Sequence, residues 1–131
     1  MAGPGDFVGE DAPDAAVTIV GAADSSAKSR IPLSAEFVYV SANTNDTNDW
    51  IVLPSGVKPG HKVEGWSLVA HEIRTEASSN VKINNIDGDG SQEAAIPATT
   101  LWSARYVSTT QGWILRAWDE VAAPITAIIP D

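Results

Sequence analysis

Hydrophobic and polar residues alternate along most of this chain with a period of two, in short runs separated by Gly, Pro, Asn and Asp. Successive side chains of a strand point to opposite faces, so the pattern predicts strands with one buried and one outer side. Glu36 to Val40 (Glu-Phe-Val-Tyr-Val) is apolar at both phases, which predicts a strand that is central or covered on each face. Trp50 to Leu53 follows and is stopped by Pro54, and Ser55 to Gly60 carries turn residues. From His61 to Ala70, one phase holds Lys62, Glu64, Trp66 and Leu68, and the other holds Val63, Gly65, Ser67 and Val69. Glu72 to Glu76 sets Ile73 inward and charge outward, as in a half-exposed strand. Val81 and Ile83 continue the alternation, and Leu101 to Val107 gathers Trp102, Ala104 and Tyr106 on one face. Gln111-Gly112 predicts a hairpin turn into Trp113 to Trp118. Ile125 to Ile129, bracketed by Pro124 and Pro130, predicts an edge or intermolecular strand.

Seven to nine short strands at turn spacing predict an all-β domain, a compact β-sandwich or barrel over residues 35–131. No window carries a capped amphipathic stripe of a dozen residues, and Asp24 to Arg30 comes nearest. Residues 1–34 differ in kind. Gly, Ala, Pro, Asp and Ser dominate there, and the few large apolar residues are too sparse for a private core. An extended N-terminal arm is expected, with Val17 to Val20 as its one strand, docked on its own domain or on a neighbour.

Composition narrows the function classes. The 131 residues carry a formal net charge of −9, which opposes nucleic acid and anionic membranes as partners. The absence of cysteine removes thiolate metal sites, redox pairs and disulfides. The opening Met1 to Asp6 has no basic leader or apolar run, so no signal peptide is expected. Asn85, Asp87, Asp89, Gly90, Ser91 and Glu93 match the spacing of a calcium loop, but Ile96 stands where a bidentate Glu is needed and Pro97 forbids an exiting helix. A tight turn is the better account, so no metal and no cofactor are expected. His61 and His71 lack zinc-site spacing and are expected at strand ends or on the surface. No Gly-x-Ser-x-Gly elbow occurs, and the neighbours Asp119 and Glu120 point to opposite faces of a strand, so no enzyme is expected.

The five tryptophans divide by company. Trp50, Trp102 and Trp113 share their faces with apolar or small residues and are expected in the core. Trp66 and Trp118 share theirs with charge and are the candidates for an exposed or interfacial site. Exposed indoles on a β-domain would stack on sugar rings, which keeps a carbohydrate-binding module or a tail-fibre or spike domain as the alternative function.

Trp50-Ile51-Val52-Leu53-Pro54, Gly60-His61-Lys62-Val63, Glu72-Ile73-Arg74, Ile83-Asn84, Ile96-Pro97-Ala98-Thr99-Thr100 and Gly112-Trp113 occur in that order. Over residues 49–118 the chain resembles small β-structured virion proteins of tailed bacteriophages, of the head decoration (cement) type. The resemblance implies a non-enzymatic protein on the outer surface of the head, assembled in the host cytoplasm. Its implied partner is the major capsid protein, and it implies a homo-oligomer, often a trimer. On that basis Phe7, Val8, Val17 and Ile19 of the arm and Ile125, Ile128 and Ile129 of the tail are expected at subunit or capsid contacts, the arm by strand augmentation.

Overall fold

The computed structural model describes residues 16–21, 29–43, 49–76, 80–84 and 92–125. Among them there is no helix, and nine strands form two sheets. The strands are β1 (Ala16–Gly21), β2 (Phe37–Asn43), β3 (Trp50–Val52), β4 (Lys62–Ser67), β5 (His71–Arg74), β6 (Glu93–Ile96), β7 (Thr100–Ser108), β8 (Gly112–Trp118) and β9 (Pro124–Ile125). One sheet runs β1-β2-β4-β7-β8-β9 and the other β3-β5-β6. The pairs β1–β2, β2–β4 and β3–β5 are parallel, and the rest are antiparallel.

Alternation decides what lies between the sheets. Val38 and Val40, Val63, Trp102 and Ala104, and Trp113, Leu115 and Ala117 face inward from the larger sheet. Ile51, Ile73, Ala94 and Ile96 meet them from the smaller one, forming one core and therefore a β-sandwich. Burying each Val, Leu or Ile side chain among these contributes roughly 2 kcal/mol of transfer free energy.

Two glycines are dictated by close approach. Trp102 lies opposite Gly65 across β4 and β7, and its indole covers that position so closely that a Cβ there would sit 2.2 Å from Cζ2. Gly112 closes the β7–β8 turn at φ +72°, where a Cβ would lie 1.9 Å from the Lys82 carbonyl oxygen. Both features of Gly112, the left-handed φ and the lack of room, exclude an ordinary L residue.

The outer margin of β8 is filled residue by residue. Trp113 N–H donates to Lys82 O (2.9 Å), and Asn84 N–H donates to Trp113 O (2.7 Å). Asn84, at φ 57°, then continues the ladder with its side chain. Its Oδ1 accepts from Leu115 N–H at 2.7 Å, and its Nδ2 donates to Leu115 O at 3.2 Å. Beyond it, Ala117 pairs with Ile125 of β9, and Asp119 N–H donates to Ala123 O at 2.9 Å. A side-chain amide thus substitutes for a strand residue at an edge that is otherwise open to pairing.

β2 is central between β1 and β4, as expected, and its outer face stays open, with Tyr39 37% exposed. Other expectations need correction. Glu72 is buried rather than part of an exposed charged face, because Arg74 binds its Oε1 through Nε (2.7 Å) and Nη2 (2.5 Å). Trp50 is half-buried rather than a core residue, and the Arg74 guanidinium lies 3.8 Å from its ring centre. His71 opens β5, at a strand end as expected, but it is fully enclosed rather than on the surface. The segment before β2 is tied to the domain: Ile31 is in the core, its N–H donates to Val52 O at 2.9 Å, and Arg30 holds Glu76 in a two-pronged ion pair. That guanidinium keeps the Glu76 carboxyl below the usual range.

Candidate functional site

Two places in the sandwich collect polar or aromatic chemistry, one inside and one out. Inside, Trp102 reaches past Gly65, and its Nε1–H donates to Ser67 Oγ at 3.0 Å. Ser67 Oγ lies 2.5 Å from His71 Nε2, and His71 Nδ1 lies 2.8 Å from the Glu72 carbonyl oxygen. A carbonyl can only accept, so Nδ1 carries the proton and Nε2 accepts from the Ser67 hydroxyl. The imidazole is neutral: desolvation lowers its pKa from 6.5 to about 4. A Ser–His contact is also the start of a hydrolytic triad. Here neither side chain reaches solvent, the serine is already engaged by an indole, and the third group is a backbone carbonyl. The three residues form a satisfied polar network that fixes how β4, β5 and β7 meet in the core.

The second place is the outer face of the six-stranded sheet. Residues of opposite phase to the core come out in rows across the strands, and register sets each row. Tyr39 pairs with Trp66, Trp66 with Leu101, and Leu101 with Trp118. Four large apolar side chains from four adjacent strands therefore stand side by side. Tyr39 and Leu101 are 37% and 42% exposed, and Trp66 and Trp118 are half-buried. Adjacent strands lie about 4.8 Å apart, so the two indoles, two strands apart, are separated by ~10 Å.

Between those indoles lies a shallow depression of about 530 Å³, lined by Glu64, Trp66, Leu101, Trp118, Asp119, Glu120 and Ala122. Asp119 is held in place, since its Oδ1 accepts from Val121 N–H (3.0 Å) and Ala123 N–H (2.9 Å). The turn it stabilises carries Glu120 on the rim. Glu64 makes one loose contact, 3.7 Å from Lys62 Nζ, with both side chains nearly half exposed. On its other side Trp118 borders a second concave patch with Ser103, Arg105, Val107, Ile114 and Arg116. Glu64 pairs with Ser103 and Ser103 with Arg116, so acidic and basic side chains share one side of the row, while Asp119 and Glu120 lie beyond Trp118 on the other.

Trp66 and Trp118, singled out by their charged company in the sequence, are thus brought onto one row. Tyr39 and Leu101 complete it and were missed, although each is out of phase with buried neighbours (Val38 and Val40; Trp102). Ile125 pairs with Ala117 and packs against the core from β9. Val17 and Ile19 lie on β1, in register with Val38 and Val40. Phe7, Val8, Ile128 and Ile129 lie outside the described residues, as does the Asn85–Ser91 part of the calcium-like pattern. Its last member, Glu93, sits on β6 with Oε2 3.2 Å from Arg74 Nε. Among the described residues no group of three His, Asp or Glu side chains is arranged to hold a metal ion. His61, half-buried, meets Trp113 edge to face at 6.2 Å between ring centres. The chain matches no protein-family model and no curated protein at a significant level.

Proposed function

We propose that this chain is a decoration (cement) protein of a bacteriophage head. In this reading it acts from the outer surface of the virion without catalysing a reaction. It binds the major capsid protein as a homo-oligomer, a trimer by the resemblance, and stabilises contacts between capsid subunits. The observation that carries the binding half of this reading is the exposed row Tyr39–Trp66–Leu101–Trp118. Aromatic residues with a polar rim are the composition of an interface centre, and a sheet face that only had to be wetted would not keep them. The choice of partner comes from the resemblance of residues 49–118. Many weak contacts across a lattice then add up through effective concentration.

Co-sedimentation of the purified chain with undecorated capsids tests this. Saturable binding, at a fixed number of copies per capsid and with a raised temperature of capsid disruption, is the expected result. Failure to co-sediment at micromolar concentration removes the reading.

A glycan-binding module is the second reading, favoured by the same two indoles. Their ~10 Å separation across the strands suits stacking against alternate rings of an extended oligosaccharide. Retention on a glycan array, abolished by Trp118→Ala, would select it.

A further inference from the structure

The depression between Trp66 and Trp118 has the composition of a cation site, and the molecule contains a filled counterpart of it. On the outer side of the smaller sheet, the Arg74 guanidinium lies 3.8 Å from the Trp50 ring centre. Two carboxylates flank it: Glu72 Oε1 at 2.5 Å from Nη2 and Glu93 Oε2 at 3.2 Å from Nε. One indole face and two carboxylates are sufficient to hold a guanidinium there. The depression offers two indoles and three carboxylates, Glu64, Asp119 and Glu120, and among the described residues lining it none is basic. Its volume of about 530 Å³ admits one side chain and its neighbours, within the usual range for ligand sites.

We propose that this depression is an anchor site for an arginine side chain presented by the partner protein, its guanidinium stacked on an indole and paired with the acidic rim. Arginine is favoured over lysine because a planar guanidinium can lie flat on an aromatic face while its edge donates to carboxylates. Charge complementarity points the same way: the chain carries a formal −9, and the described lining holds Glu64, Asp119 and Glu120 with no basic residue, although Arg116 stands in the same cross-strand row as Glu64. A sugar would use the same indoles but has no need of three carboxylates. The inference rests on the decoration reading only for who supplies the arginine; the chemistry of the site is independent of it.

The test uses the intact chain labelled with ¹⁵N, following the indole N–H resonances, with those of Trp66 and Trp118 assigned from single Trp→Phe variants. Argininamide is the probe, and citrulline amide, isosteric but without the side-chain charge, is its control. The expected result is a saturable shift of the Trp66 and Trp118 signals by argininamide at millimolar concentration, with no response to citrulline amide. A Glu64→Gln/Glu120→Gln double variant, which touches no buried group, is expected to weaken the response about three- to tenfold. Equal responses to both amides, an unchanged response in the double variant, or shifts by cello-oligosaccharide but not argininamide would each overturn the proposal. The capsid assay separates the two ideas. Wild-type binding to capsids that survives the double variant at full strength removes the arginine anchor and leaves decoration standing. Argininamide binding without capsid binding removes decoration and leaves the site.

Discussion

The two faces of the six-stranded sheet are made by the same strands yet follow different rules. On the inner face every large side chain has a partner of fixed shape: Trp102 covers Gly65, its N–H reaches Ser67, and Ser67 reaches His71. On the outer face Tyr39, Trp66, Leu101 and Trp118 stand in a row that solvent reaches, edged by polar and charged side chains. Inside, the tryptophan is specified by what surrounds it. Outside, the tryptophans are not required by the fold, which is why they are informative about function. A domain of this size could cover that face with Thr, Lys and Glu at little cost in stability.

The sharpest way to break the contrast is Gly65→Ala. A methyl group 2.2 Å from Trp102 must displace an indole packed on every side, so unfolding in urea is expected to become easier by about 3 kcal/mol. The same alanine change on the outer face, at Ser103 or Glu64, should move the midpoint little.

Acid probes the inner face through His71. The unfolded chain takes up this proton near pH 6.5, and the folded chain only near 4, so between those values the unfolded state binds more protons. Stability from this group is complete above pH 6.5, falls as pH drops through the window, and is constant below about 4. Over 2.5 units the loss is about 3 kcal/mol. Urea midpoints measured from pH 7.5 to 4 should show that slope, and His71→Gln should flatten it.

Ser67→Ala is expected to cost about 2 kcal/mol, because it leaves the Trp102 N–H and the His71 Nε2 buried without their shared partner. The smallest effect on folding belongs to the outer row. Trp118→Ala should change the unfolding free energy by about 1 kcal/mol while reducing capsid binding severely. A large loss of stability with binding retained would mean the row serves the fold after all.

The two faces were also unequally legible in the sequence. Period-two alternation separates Trp102 and Trp113 from Trp66 and Trp118 without any structure, because phase along a strand needs only local information. The hairpin into Trp113 was legible for the same reason. What could not be read was partner choice. Three of the pairings are parallel, and β4 takes β2 and β7 as neighbours rather than β3 and β5, so the row that joins Tyr39 to Trp118 exists only once non-local register is known. The errors at Glu72 and Trp50 have one source. A charged residue at an outward phase is expected to be wet, but Arg74 at the same phase neutralises Glu72 and stacks on Trp50, making a buried ion pair possible. His71 follows the same logic: enclosing an imidazole requires two partners, one a serine four residues back and the other a carbonyl, and neither has a sequence signature.

The Asn84 seal on β8 makes one margin of the sheet depend on the chemistry of a single amide. Hydrolysis of that amide to a carboxylate changes neither size nor shape, yet it turns the donor facing the Leu115 carbonyl into an anion facing an oxygen. Leu115 would keep an acceptor for its N–H and lose the donor to its carbonyl. One amide thus stands between this strand edge and any other chain that could pair with it, and exchanging it for a carboxylate would leave the Leu115 carbonyl facing an anion.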